Sequence, residues 1–291
     1  MPWSVVSRVA TDKGWLYLKQ MAPLFAHEPQ ALRLLHALIE AAPVPICLAH
    51  APELRAFLMP DSGVPLRPLL KERYEAGLMQ QALQLCATLQ RNCIAHQDTM
   101  LTQGLPDQRL ARLPELLAEL LADDSLMRAE SISPHERSAF LRLLPAVAKL
   151  GEELASCGVP ETLEHGDFHD NNVLMQNSQL TINDWGDASL SHPFFSLASC
   201  LESSGRNHGL KPGDRIYTQL IDAYLASWLD YADNVTLHRS LDLALQLRPI
   251  HFAVNYRRLA KNVAYQPDDY YAGWIAKRLR DFVSTLNDFR Q

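Results

Sequence analysis

The chain has 291 residues, 47% of them apolar, enough to bury a large core in one domain or two lobes, and its formal net charge of -6 excludes a broad attraction to nucleic acid or an anionic membrane. Its five cysteines, Cys47, Cys86, Cys93, Cys157 and Cys200, are odd in number and form no CxxC pair, which argues against a disulfide framework or a zinc ribbon and fits a reducing cytoplasm. The opening MPWSVVSRVATDKG has no basic segment followed by an apolar one, and the longest apolar helix candidate is interrupted by His36, Glu40 and Pro43, so neither an export signal nor a membrane span is expected.

Residues 3–19 read as a β-hairpin: Trp3, Val5 and Val9 alternate with polar neighbours, Asp12-Lys13-Gly14 supplies the turn, and WLYLK resumes the extended pattern. EPQALRLLHALIE, residues 28–40, places Leu32, Leu35, Ala37 and Leu38 or Ile39 on a broad helical face, with Glu28 and Pro29 suited to the first turn. The extended run LRAFLM stops at PDSG, a turn that divides the chain into an N-terminal lobe, 1–61, and a C-terminal lobe, 62–291.

Helical spacing dominates residues 68–157, where Leu78, Ala82, Leu85, Cys86 and Leu89 form a core stripe. Ser133-Pro134-His135-Glu136 combines an N-cap, a first-turn proline and a capping-box glutamate, and opens one long helix that runs toward Gly158. Then come two short strands, VLM and LTIND, around the turn QNSQ, and helices at 191–201, 214–231, 238–264 and 270–289. The expected fold class is α+β, a small β-sheet lobe joined to a larger α-rich lobe, with a ligand cleft between them.

LEHGDFHDNNVLM, residues 163–175, concentrates the chemistry. Asp167, Asn172 and Asp184 stand 5 and 17 residues apart, and a small hairpin can bring all three to one edge. Phosphoryl transfer from a nucleotide needs such a set: a carboxylate at the acceptor hydroxyl, and an amide and a second carboxylate on Mg²⁺ ions that bridge the phosphates. A rival reading makes His165, Asp167, His169, Asp170, Asp184 and His192 the ligands of a two-metal hydrolase. Residues 165, 167 and 169 share a face only in a strand, however, and Gly166 with Asn171-Asn172 favours an irregular loop. A plain polar turn explains each residue separately but not the spacing to Asp184.

HGDFHDNNVLM followed by INDWGDASLSHPFFSLA resembles the aminoglycoside phosphotransferase and choline kinase family, whose members share the two-lobed protein-kinase-like fold. The resemblance implies that Asp167 is the catalytic base or acceptor-positioning group, that Asn172 and Asp184 bind Mg²⁺, and that His165 braces the loop. It also implies an ATP or GTP donor gripped by Lys19, with Glu28 orienting that lysine, and a hinge at LMPD, where the backbone around Met59 faces the adenine. The acceptor would be a small hydroxyl compound, aminoglycoside-like, choline-like or sugar; nucleic acid and membrane are not expected partners, and the oligomeric state is left open.

The chain departs from the family pattern in two places. It has no glycine-rich phosphate loop or the strand expected before it, so either the chain starts late or the lobe is shortened, which keeps a pseudokinase or nucleotide-binding regulator as an alternative. Ser196 stands where many relatives carry an aspartate. Asp187, Tyr256, Asp268, Asp269, Tyr270 and Trp274 are candidates for an acceptor pocket, although Asp268 and Asp269 also read as a charge pair opening a helix. Arg248, Arg257, Arg258 and Lys261 read as a solvated or paired helix face.

Overall fold

The computed structural model describes residues 3–12, 14–262 and 272–288. The N-terminal alternation forms the expected hairpin, β1 (Ser4–Thr11) and β2 (Gly14–Met21), paired from Ser4↔Met21 to Thr11↔Gly14. Its turn residue Lys13 lies outside the described residues. Along β2 the period of two turns Lys19 and Met21 inward and Leu18 and Gln20 outward.

Helix α1 (Glu28–Leu38) packs Ala31, Leu32, Leu34 and Leu35 into the core. Ala37, expected on the buried face, is exposed because that face is set by Leu34 and Leu35 and the helix ends at Leu38. Strand β3 (Ala49–Ala51), which the sequence pattern did not reveal, and β4 (Ala56–Pro60) complete a sheet of order β1-β2-β4-β3. An Ala-His-Ala strand has neither β-branched residues nor alternation to mark it.

From β4 the chain passes through Asp61, whose carboxylate accepts from Gly63 N, into β5 (Val64–Pro65). Gly63 has φ +100°, and a Cβ there would overlap the Met175 carbonyl, so this crossing requires glycine. β5 pairs with β7 (Val173–Gln176), which pairs in turn with β8 (Gln179–Ile182); Asn177 and Ser178 form their turn at positive φ. This is the hairpin expected around QNSQ. A further pair, β6 (Thr162–Glu164) with β9 (Ser189–Ser191), flanks it and was not anticipated, being short and mostly polar.

The helices between are α2 (Leu66–Glu72), α3 (Ala76–Cys93), α4 (Gln97–Thr102), α5 (Leu113–Leu121), α6 (Asp124–Ala129), α7 (Pro134–Leu141) and α8 (Leu144–Ala155). The capping box at Ser133 and Glu136 is present. The single long helix expected after it is instead α7 and α8, because Pro145 has no N–H to give the Leu141 carbonyl. After β9 come α9 (Phe194–His208), α10 (Arg215–Leu225), α11 (Asn234–Asn262) and α12 (Trp274–Asp288). Asp268, Asp269 and Tyr270, and the expected helix start at 270, lie outside the described residues, as does the Lys261 side chain.

α11 packs against α5, α8, α9 and α12. Trp185, Phe194, Phe195, Tyr224 and Trp228 are fully buried, Phe195 stacking on His251 of α11, and burying a large apolar side chain stabilises by roughly 1.5–3 kcal/mol. All five cysteines are free. Among the described residues no helix is long and apolar enough to cross a membrane.

Candidate active site

Lys19, in the interior of β2, is buried at 5% exposure rather than solvated at a strand end. Its ammonium lies 2.7 Å from Glu28 Oε2 on α1 and 2.6 Å from Asp184 Oδ1, just after β8. Burial alone would lower the lysine pKa, but the Asp184 and Glu28 carboxylates outweigh it and hold the pKa above its ordinary value. Glu28 Oε1 also accepts from Trp185 N at 3.2 Å. The first turn of α1 is thereby joined to the end of the hairpin. Asp184 itself sits in the left-handed region, at φ 65° and ψ 66°.

Asp167 lies on the loop between β6 and β7. Asn172 Nδ2 donates to its carbonyl at 2.9 Å and to its Oδ2 at 3.2 Å, and Asn183 N donates to Asn172 O at 2.8 Å, tying the loop to the hairpin's end. Gly166 (φ +84°) lets the loop run against Asp187, whose Cβ would be 2.6 Å from a Cβ at 166. His165 is fully buried: Asp167 N donates to its Nδ1 at 3.3 Å, and its Nε2 lies 3.0 Å from Asn183 O. A neutral ring with the proton on Nε2 satisfies both contacts, and burial lowers the pKa to about 4. This is the bracing geometry expected of His165.

His169, which sequence reasoning left without a role, places Nε2 3.2 Å from Asp167 Oδ2. Desolvation works against charge on both groups. Their attraction wins, so the His169 pKa is raised and the Asp167 carboxyl is held below its ordinary range, with help from the Arg248 charge. A histidine two residues from a loop carboxylate was the available signal. Asp170 does not join the site: it is buried against Arg67 at 2.8 Å and His208 at 2.8 Å. Ser196 Oγ accepts from His165 N at 3.2 Å and donates to Glu164 Oε1 at 2.9 Å, so the serine reaches the loop.

The oxygen donors suit Mg²⁺. The Asp184 side chain is 43% exposed, and with Nδ2 of Asn172 turned to Asp167, the Asn172 amide oxygen is left as a hard ligand. The two-metal hydrolase set is not assembled, since among the described residues no group of three His, Cys, Asp or Glu side chains could hold an ion. His165 has both nitrogens engaged, and the fully buried His192 accepts from Phe194 N.

Met59 pairs with Tyr17, while the β3–β4 register ends at Ala49↔Leu58, one residue short of it. Of the acceptor-side candidates, Tyr256 and Trp274 meet with ring centroids 5.1 Å apart, and Asp187 packs on Gly166. Burial, helped by the Asp167 charge, pushes the Asp187 carboxyl up to about 7, against the pull of Arg258. Arg257 pairs with Glu119 at 2.7 Å, and Arg258 donates to the Leu24 carbonyl at 2.9 Å. Arg248 departs from the solvated or paired face expected of it, being 6% exposed with no carboxylate in hydrogen-bonding contact among the described residues.

The family model for the phosphotransferase enzyme family matches residues 3–234. No curated protein sequence matches the chain significantly. Among solved structures, an ethanolamine kinase from Plasmodium vivax superposes with a TM-score of 0.63 at 12% identity, over 97% of this chain and 79% of that one. A choline/ethanolamine kinase family protein from Mesorhizobium loti gives 0.62 at 14%, over 97% and 88%. The GDP and kanamycin complex of APH(2")-IIia gives 0.58 at 15%, over 98% and 94%. At these identities the likeness establishes the fold, that of the two-lobed protein-kinase-like phosphotransferases. Because the family match spans most of its length, this chain belongs to the phosphotransferase enzyme family.

Proposed function

We propose that the chain is a Mg²⁺-dependent small-molecule kinase that moves the γ-phosphate of ATP or GTP to a hydroxyl, with residues 1–61 as nucleotide lobe and 62–291 as catalytic and acceptor lobe. The observation that carries this is the Lys19 ammonium held between Glu28 and Asp184, with the Asp167–Asn172 pair fastened to the same hairpin end. One relative is an ethanolamine kinase and another was solved with GDP and kanamycin, which supports a nucleotide donor and a small acceptor.

In this reading Asp167 orients the acceptor hydroxyl and takes its proton. Its carboxylate is kept ionised by His169 and aimed by the Asn172 amide. Lys19 grips the nucleotide phosphates, and Glu28 keeps that lysine charged and in place. Asp184 and Asn172 hold Mg²⁺, which when bound neutralises charge building on the phosphates. The backbone at Met59 receives the adenine or guanine. Free cysteines suit a reducing compartment, so we place the protein in the cytoplasm.

The test is calorimetric titration with ATP and GTP, with and without Mg²⁺, followed by phosphotransfer across an acceptor panel in wild type and Asp167→Asn. Mg²⁺-dependent nucleotide binding with turnover that Asp167→Asn abolishes is the expected result. Undiminished turnover in that variant removes the role of Asp167, and nucleotide binding with no turnover on any acceptor makes the chain a regulator.

A further inference from the structure

Successive turns of α11 place Arg248, Phe252 and Tyr256 on one face. Phe252 and Tyr256 stack at 4.3 Å, and Trp274 of α12 adds a third ring 5.1 Å from Tyr256. At the other end of this wall two guanidiniums lie over Phe252, that of Arg278 at 4.2 Å and that of Arg248 at 5.0 Å from the ring centroid.

Arg248 is the unusual member. At 6% exposure it donates one hydrogen bond, Nη2 to Ser199 Oγ at 3.2 Å, while the buried Nε and Nη1 have no partner. A guanidinium cannot shed its proton to escape this, so two charged donors remain unsatisfied. It lines a cavity of about 270 Å³ with Arg278, Glu202, Leu210, Tyr217 and Leu245. A second cavity of about 350 Å³ shares Glu202 and Arg278 and adds Arg206, Lys277 and Trp274.

Among the described residues positive charge is in excess there. Glu202 pairs with Arg278 and Arg206, and Asp281 with Lys277 at 2.7 Å; among the described residues Arg248 forms no salt bridge, although the Glu202 and Glu164 charges act on it. Glu164, the other acid near it, gives one oxygen to Ser196, and its second lies 3.6 Å from His251. The same helix borders the reacting end: His251 meets Glu164 of β6, which leads into the Asp167 loop, and Arg258 donates to the carbonyls of Gly186 and Asp187 beside that loop.

We propose that the acceptor is an anionic hydroxyl compound, bearing a carboxylate or a phosphate, whose anionic group docks on Arg248 and Arg278 while its body lies along Phe252 and Tyr256 and its hydroxyl reaches Asp167. A planar guanidinium with two free donors matches either anion. The inference rests on the kinase reading of Asp167. The acceptor oxygen forms a bond to the γ-phosphorus as the bond from that phosphorus to the β–γ bridging oxygen breaks. The hydroxyl proton passes to the Asp167 carboxylate, and the nucleoside diphosphate leaves with the electron pair. A cationic acceptor would meet two guanidiniums at the same place.

The test uses the full chain saturated with Mg²⁺ and ADP or GDP, titrated calorimetrically with four probes: glycerol, glycerate, glycerol 3-phosphate and choline. The expected result is that glycerate or glycerol 3-phosphate binds at least tenfold more tightly than glycerol and choline, the better of the two identifying the anion. Arg248→Met and Arg278→Met should each weaken that binding at least tenfold and leave nucleotide affinity unchanged. Choline binding best, neither anion exceeding glycerol, or anion affinity unchanged in both variants overturns the proposal. If Arg248→Met does not fold, the wild-type ranking and Arg278→Met decide. If no nucleotide binds, the kinase reading fails by itself, and the same titrations on the free chain still report the anion site.

Discussion

Lys19 and Asp184 stand 165 residues apart in sequence and 2.6 Å apart in space, and Glu28 closes the contact from the opposite side of the ammonium. Lys19 and Glu28 are almost wholly enclosed, so removing one partner leaves a buried charge uncompensated, at a cost of about 3–5 kcal/mol. Lys19→Met should therefore lower the thermal midpoint clearly. The double variant Lys19→Met/Glu28→Leu should recover most of that loss and still bind ATP or GTP weakly, because the phosphate grip is gone from both. Differential scanning calorimetry and nucleotide titration of the two variants separate the structural from the ligand-binding contribution.

His169 sits against the Asp167 carboxylate and keeps it ionised below the usual carboxylate range. Replacing the imidazole, whose pKa the Asp167 carboxylate raises, by a neutral amide in His169→Gln removes the attraction and should raise the Asp167 pKa. The acid limb of the kcat/KM profile should then move to higher pH, while turnover on the plateau falls less than in Asp167→Asn, where general-base loss costs roughly 10²–10⁴-fold. Profiles of the wild type and His169→Gln with the acid limbs superimposed would remove His169 from the site.

Asp167, Asn172 and Asp184 were legible in the sequence because one hairpin, marked by its turn and its alternation, separates them. The approach of Lys19 and Glu28 to Asp184 spans most of the chain and carries no local signal; only the resemblance in element order placed them on the list. β6 and β9 were missed because Thr-Leu-Glu and Ser-Leu-Ser are too short to show alternation. Arg248 was misread for a different reason. α11 is covered by helices on several sides, so its sequence lacks the polar stripe that distinguishes a solvated arginine from an enclosed one. Ser196 shows the reverse case, a departure from the family pattern whose geometry still reaches the loop.

Gly166→Ala tests how closely the loop must run to Asp187. The backbone there has φ +84°, where an L-residue costs about 1–2 kcal/mol, and the new methyl would overlap the Asp187 backbone carbonyl and Cβ. The loop must shift to relieve this, and Asp167 is the next residue. A displacement on the order of 1 Å at a reacting group costs about 10²-fold in rate. The expected outcome is a large fall in kcat with nucleotide affinity nearly unchanged, measured by steady-state kinetics and calorimetry; a wild-type kcat would show that the loop has slack.

Four buried histidines each weaken folding in acid. Burial lowers the pKa of His27 to about 3, of His165 to about 4 and of His192 to about 3, and that of His251 well below its ordinary value. As pH falls through about 6.5, each of these takes up a proton in the unfolded chain and not in the folded one, so each weakens folding with decreasing pH. Glu164 and Asp187 act oppositely. Their folded pKa values, each about 7, exceed the unfolded ones, so they bind protons in the folded chain first and gain stability as pH falls from 7 to about 4.5. The raised carboxyls of Glu28 and Glu161 and the raised imidazole of His169 join that opposing side, so the histidine effect is read one residue at a time. His192→Phe, which removes one of the four, should reduce the protons taken up on unfolding near pH 5 by about one, read as a less positive dependence of the thermal midpoint on pH than in the wild type.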